Sequence, residues 1–174
     1  MKTFNSFISA VLVVTIAFAA CTGSTTNEST AGTDTSVAAT TSTNDANQEK
    51  LEANKKIASD FIQALAGDRD STAIDKYVAD DIKEHNPILQ DGKEWLKNAA
   101  RPFLEIPDAP KTKIDISMTA AEGDMVWLLI RDVAPNQKVF ARVIIFRIEN
   151  GKIAEAWKVA EAVPAKSQNE NSMF

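Results

Sequence analysis

The spacing of apolar residues changes once along the chain, and this change constrains the fold more than any other feature. Between residue 48 and Pro110, apolar side chains recur at helical spacing, first in a segment that ends near Gly67. After Pro110 they alternate with a period of two, and Asn150-Gly151 is typical of a two-residue hairpin turn. The strands are expected over residues 111–120, 125–133, 139–148 and 153–163. Three N-terminal helices and four antiparallel strands predict an α+β domain.

Each expected helix has a start signal, in which a short polar residue precedes the apolar repeat. These caps are Asp45, Asp70 or Ser71, and Asp91. Gly67 is a natural stop for the first helix. Pro102 is expected to end or kink the third helix, because proline lacks the backbone N–H that the helix needs.

The first residues have the layout of an export signal. Lys2 precedes an apolar run over residues 7–18, and Ala19-Ala20-Cys21 ends it with small residues. The run is shorter than the ~20 residues that span a bilayer. The position of Cys21 resembles a bacterial lipobox, which predicts cleavage after residue 20 and lipid on Cys21. The alternative is an ordinary signal peptide before a free thiol.

The segment that follows predicts a tether rather than a core. Residues 21–47 are dominated by Ser, Thr, Asn, Ala and Gly, a composition that cannot bury enough apolar surface to offset chain entropy. Residues 48–174 remain for one folded domain. The expected location is the bacterial cell envelope, with the lipid anchoring the domain at the periplasmic side or on the outer membrane.

Charge and motif content exclude several functions. The chain has 19 Lys and Arg against 24 Asp and Glu, without a basic stripe, which argues against nucleic acid as a partner. It has one histidine and one cysteine, so neither a His-rich zinc site nor an internal disulfide is expected. Gly-rich nucleotide-binding motifs are absent from the sequence. We therefore expect no metal and no cofactor.

Four short motifs carry a resemblance to a known family. They are His85-Asn86-Pro87, residues 146–153 (FRIENGKI), residues 155–159 (EAWKV) and residues 171–174 (NSMF). In this order they resemble the SnoaL-like family, small relatives of polyketide cyclases within the nuclear transport factor 2-like superfamily. The resemblance implies a cone-shaped fold, in which a curved sheet wraps around a helix and encloses an apolar pocket. It also implies that a homodimer can form through the open face of the sheet.

The resemblance implies which residues line the pocket and where this chain departs from its relatives. Strand alternation and the family pattern together assign to the pocket Asn86, Trp127, Leu129, Ile144, Phe146, Ala156 and Lys158. Relatives often carry a histidine at the position of Leu129 and an aspartate at that of Ile144. The histidine and aspartate of a common His-Trp-Asp motif correspond to Ala156 and Lys158.

Two residues are candidates for catalysis. His85 suits a general acid or base, a frequent role of histidine, but its motif contains no orienting carboxylate, which favours a structural hydrogen bond before Pro87. Lys158 is a candidate amine nucleophile or electrophile, or an anchor for a ligand carboxylate. In a third reading, its stem lies along the sheet with the ammonium in water.

Three functions follow from these residues. The first is an envelope lipoprotein that binds a small, mostly apolar ligand, with or without a carboxylate. The second is an enzyme of the cyclase, isomerase or epoxide hydrolase type, which needs a positioned acid and base. The third is a dimeric interaction domain without a ligand. The replacement of the motif aspartate by Lys158 favours binding over catalysis.

Overall fold

The chain forms three helices and five strands in a computed structural model that describes residues 36–134 and 136–174. The expected signal peptide and Cys21 lie outside the described residues. The helices are α1 (Ser36–Ile62, continued by a π-helical segment, Gln63–Gly67), α2 (Ala73–Tyr77) and α3 (Lys93–Leu104). The strands are β1 (Val78–Glu84), β2 (Asp115–Glu122), β3 (Met125–Val133), β4 (Val139–Glu149) and β5 (Lys152–Ala162).

One mixed sheet replaces the expected four-stranded antiparallel sheet. Its strand order is β1-β5-β4-β3-β2, and β2 to β5 form the predicted antiparallel meander. β1 is a fifth strand that pairs in parallel with β5, so the prediction of four strands is wrong. Val78, expected in the second helix, begins this strand. The third helix follows β1, so only two helices precede the sheet, and the long connection through α3 and the meander permits the parallel pairing.

All three predicted helix caps are wrong. The residue at the N-cap of α2 is Thr72 rather than Asp70 or Ser71, and the Asp70 carboxylate accepts hydrogen bonds from the Thr72 N–H and hydroxyl. α1 begins at Ser36, so Asp45 lies inside it and residues 36–47 of the expected tether are helical. An aspartate inside a helix is only mildly unfavourable, so it does not force the helix to start there. The Asp91 carboxylate does not cap α3 but accepts a hydrogen bond of 2.8 Å from the backbone N–H of Glu84.

The remaining local signals act as expected. Gly67 ends the first helical segment, and Pro102 lies within the last turn of α3, two residues before its end. Asn150 and Gly151 have φ values of +50° and +73°, the left-handed geometry that a tight hairpin between β4 and β5 requires. These turns fix the order of the meander strands.

The end of α1 is attached to the start of the meander. The backbone N–H of Thr112 donates to the Gly67 carbonyl at 2.9 Å, and the Gln63 side chain bonds both the Thr112 carbonyl and the Ile114 N–H. A methyl group on Gly67 would lie 2.5 Å from the Thr112 carbonyl oxygen, so only glycine allows this approach.

The core lies between α1, α2 and one face of the sheet. The Phe61 ring meets the Phe146 ring edge-on at 5.8 Å and also contacts the Tyr77 ring at 6.1 Å. The largest fully buried side chains are Ile74, Val78, Val126, Leu128 and Ile153. No helix among the described residues is both long enough and apolar enough to cross a membrane.

Two neighbouring leucines of β3 test the pleat of the sheet. Leu128 is 0% exposed and Leu129 is only half-buried, so they face opposite sides. We expect Leu128→Ala to lower the free energy of unfolding by about 3 kcal/mol. Leu129→Ala should lower it by less than half as much. Chemical denaturation at one protein concentration measures both, and equal losses would contradict the assignment of faces.

Candidate functional site

The pairing of β3, β4 and β5 decides which side chains share a face. Directly opposed residues of antiparallel strands point to the same side of a sheet. Leu128 pairs with Ile144, which pairs with Lys158. We call their side, which packs against α1, the inner face; it also carries Phe146 and Ala156. Four of the predicted pocket residues, Ile144, Phe146, Ala156 and Lys158, therefore lie together.

Trp127 and Leu129 do not belong to this face. Trp127 pairs with Ile145 and Leu129 with Val143, so both point to the opposite side, the outer face. The prediction that they line the pocket is wrong. The residues that the core uses from β3 are Val126, Leu128 and Ile130, one position out of phase with the prediction.

Asn86 is buried at the end of β1, beside the inner face. It is 9% exposed, its backbone N–H donates to the Glu84 carboxylate at 3.1 Å, and its side-chain oxygen accepts the Ile88 N–H at 3.3 Å. Glu84 pairs with Ala156 and thus faces inward too. Asn86 therefore stabilises its own turn, the usual role of asparagine before a turn.

The inner face is filled at one end and polar at the other. Phe61 packs over Phe146, whereas Lys158 and Ala160 are exposed. Within the described residues, the polar end of the inner face is therefore open to solvent and is not the expected enclosed pocket. Its charged side chains, which we call the inner polar group, are Glu84, Asp132, Arg142 and Lys158.

Burial and neighbouring charges shift the pKa values of two members of the inner polar group, Lys158 and Glu84. Burial lowers the pKa of Lys158, Arg142 lowers it further, and Glu84 and Asp132 act in the opposite direction. Lys158 is nevertheless exposed overall, so solvent screens part of this effect. Burial raises the pKa of Glu84, against a hydrogen bond from Asn86 and the charge of Lys158. Arg142 forms a salt bridge with Asp132, yet its buried Nε has no acceptor among the described residues.

His85 lies on the outer face, away from Lys158. Its ring stacks on Trp157 at 4.2 Å, nearly parallel, and its Nε2 lies 3.0 Å from an oxygen of Glu155. Arg147 donates to the other Glu155 oxygen at 2.9 Å. The hydrogen bond with His85 and the charge of Arg147 lower the pKa of Glu155, although burial acts against them. Glu155 thus provides the orienting carboxylate that the motif of His85 lacks. Because this pair lies on the outer face and Glu155 is also bonded to Arg147, the arrangement favours a structural role for His85.

A family model for the SnoaL-like domain matches residues 58–156 of the chain. The chain belongs to the SnoaL-like family. A comparison with curated proteins finds no match. The matched span of the SnoaL-like domain includes His85 and Phe146 but ends before Lys158, so the departure at Lys158 lies just beyond it.

Solved structures support the fold of this SnoaL-like domain. A nuclear transport factor 2-like protein of unknown function from Mesorhizobium loti is 18% identical with a TM-score of 0.53, covering 64% of this chain and 93% of its own. A second protein so described, from Burkholderia xenovorans, is 16% identical with a TM-score of 0.53, at 67% and 89% coverage. An LEH-like epoxide hydrolase from M. tuberculosis is 16% identical with a TM-score of 0.53, at 64% and 85%.

Sequence reasoning missed two members of the inner polar group of this SnoaL-like domain. The position of Glu84, two residues before Asn86, could have indicated its orientation, because residues two apart in an extended chain point to the same side. Asp132 lies near the end of β3, after its apolar run, and only the pairing with β4 shows that it meets Arg142. Among the described residues, no group of three or more His, Cys, Asp or Glu is placed to hold a metal ion.

The raised pKa of Glu84 predicts a pH-dependent stability. Above its ordinary value of 4.5, the unfolded chain ionises first, so the wild-type domain loses stability as pH rises towards the folded-state pKa. Glu84→Gln removes this loss. We expect the variant to gain stability relative to wild type between about pH 4 and about pH 7, in denaturant titrations.

The exposed Glu49 of α1 provides the control for this prediction. Glu49→Gln should show no comparable gain across the same pH range. A Glu84→Gln variant whose difference from wild type is the same at both pH values would contradict the burial of this carboxyl group.

Proposed function

We propose that the domain binds a small, mostly apolar molecule that carries a carboxylate. The observation that carries the proposal is the pair of cations on the inner face. Lys158 is diagonal to Arg142 across β4 and β5, about 7 Å apart at their Cβ atoms. Lys158 forms no salt bridge with any described residue, and the Arg142 Nε is buried without an acceptor. A ligand carboxylate would satisfy both groups.

The surroundings of the cations suit the apolar part of such a ligand. Ile144 lies directly opposite Lys158 and is only partly buried. Ligand sites typically combine an apolar lining with a few polar groups that fix orientation. The inner face provides this combination, with Ile144 as the nearest apolar contact.

Removing the Lys158 charge tests the anchor role directly. We expect Lys158→Met to weaken octanoate binding about tenfold, because a charge-assisted hydrogen bond is lost. Binding of octanol, which has the same chain length and no charge, should change little. Calorimetric titration of residues 36–174 measures both affinities, and mass spectrometry of the purified protein detects lipophilic acids that co-purify with it.

Lys50→Met is the matched control, because Lys50 is an exposed lysine of α1. It should bind both probes as wild type does. Equal retention of octanoate by Lys158→Met and wild type would rule out the anchor role.

A catalytic function is the second candidate, and one observation favours it. Glu84 is a carboxyl group with a raised pKa on the same face as Lys158, the kind of group that acts as a general acid or base. We propose that any cyclase, isomerase or hydrolase activity uses Glu84 with Lys158 rather than His85. Glu84→Gln should then abolish turnover of a discovered substrate, whereas His85→Ala should reduce it only slightly. The reverse result would return the role to His85.

We also propose that the domain forms a homodimer through the outer face. Such a dimer is compatible with a ligand-binding domain and with an interaction domain that binds no ligand. Met118 and Val159 are 57% and 65% exposed, and Trp127 and Leu129 lie between them on that face. Exposed apolar patches of this kind mark protein interfaces. Val159→Asp should shift the mass measured by sedimentation towards the monomer; a monomeric wild type would contradict the proposal.

We also propose that the domain is an envelope lipoprotein, with residues 1–20 removed, lipid on Cys21 and a tether before the folded domain. The support is the order of the charged start, apolar run and cysteine. Lipid attachment needs the thiol, so Cys21→Ser should abolish incorporation of labelled palmitate and release the protein from the membrane fraction. Thr22→Ser, at the next position, should leave both unchanged. Label retained by Cys21→Ser would contradict lipidation at this residue.

A further inference from the structure

A cleft lies on the outer face, on the opposite side of the sheet from the inner polar group. Its volume is about 730 Å³, and its walls are the ends of β3, β4 and β5 and the segment over residues 163–174. This volume lies within the range of about 300–1,000 Å³ that small-molecule sites occupy. The cleft is large enough for a ligand of several residues or rings.

Two opposite charges flank the floor of the cleft. Arg131 and Glu161 both pair with Ala141, so the three residues form one row across β3, β4 and β5. The outer strands of this row are two strand spacings apart, about 10 Å. Because the side chain of Ala141 is only a methyl group, it does not fill the space between the side chains of Arg131 and Glu161. Neither charge forms a salt bridge with any described residue.

The Arg131 side chain is held in place by an aromatic ring. Its guanidinium group lies 5.7 Å from the centre of the Phe174 ring, within the range of a cation–π contact. This contact places the guanidinium beside the residue 163–174 wall, and no salt bridge joins Arg131 to Glu161. The charges therefore stay separated, and both stay available to a ligand between them.

Uncharged donors complete the lining. The side-chain oxygen of Asn169 accepts the Asn171 N–H at 2.9 Å, and the Ser172 hydroxyl accepts the Phe174 N–H at 3.0 Å. The side-chain NH₂ groups of Asn169 and Asn171 make no hydrogen bond to the described residues. Free amide donors suit the carbonyl oxygens of a peptide.

We propose that this cleft binds a short peptide with free termini. Arg131 binds the carboxylate, Glu161 binds the ammonium group, and the amides of Asn169 and Asn171 donate to the peptide carbonyls. The opposite charges on either side of Ala141 are complementary to both ends of a zwitterion, whereas a singly charged ligand can pair with only one of them. The site is independent of the proposed carboxylate site, because it lies on the other face of the sheet.

Trialanine and its two blocked forms test the proposal on the full-length chain in detergent. Calorimetric titration should show binding of trialanine, and about tenfold weaker binding of N-acetyl-trialanine and of trialanine amide, because each loses one charge-assisted contact. Glu161→Gln should remove the preference for the free ammonium group and keep that for the carboxylate. Arg131→Gln should do the reverse.

Arg101→Gln and Glu49→Gln are the matched controls, since both residues are exposed and lie outside the cleft. Both should keep the wild-type preferences. The proposal is overturned if wild type does not bind trialanine, if the three peptides bind equally, or if the Arg131 and Glu161 variants keep both preferences.

Discussion

The pairing register of β3, β4 and β5 is the constraint on which both candidate sites depend. The row Leu128-Ile144-Lys158 faces α1, and the row Arg131-Ala141-Glu161 faces away from it. A slip of one residue would exchange the two faces of the slipped strand. The Asn150-Gly151 hairpin sets the turn between β4 and β5, and packing of Phe146 under α1 makes the alternative face unfavourable.

The two faces differ in how their charges are compensated. On the outer face, Glu155 is bonded on one oxygen by His85 and on the other by Arg147, so this cluster is satisfied by the protein itself. On the inner face, Arg142 has one acidic partner and Lys158 has none among the described residues. Charged groups that are paired within the protein have a structural role, whereas unpaired charged groups are candidates for ligand binding. This contrast favours a structural role for His85.

Local signals made the meander predictable, and long-range pairing limited the rest. The bounds of β3 to β5 follow from alternation and turn residues. β1 is short, and most of its exposed side chains are polar. It pairs in parallel with β5, some 70 residues further along the chain, and no local sequence pattern indicates this pairing. The facing of β3 was wrong because residues 125–130 are all apolar, so alternation gives no phase. For β4 and β5 the family motifs supplied the phase that alternation lacks, and the strand pairing puts Ile144, Phe146, Ala156 and Lys158 on one face.

The replacement of a common family aspartate by Lys158 changes what the inner polar group can do. With Glu84 ionised, two cations face two carboxylates and the group is neutral. When Glu84 takes up a proton, the group gains a net positive charge that one ligand carboxylate neutralises. We therefore propose that proton uptake at Glu84 and binding of a carboxylate are linked, so that each favours the other. The raised pKa of Glu84 brings this uptake closer to neutral pH, so the carboxylate affinity should increase as pH falls, for as long as the ligand stays ionised.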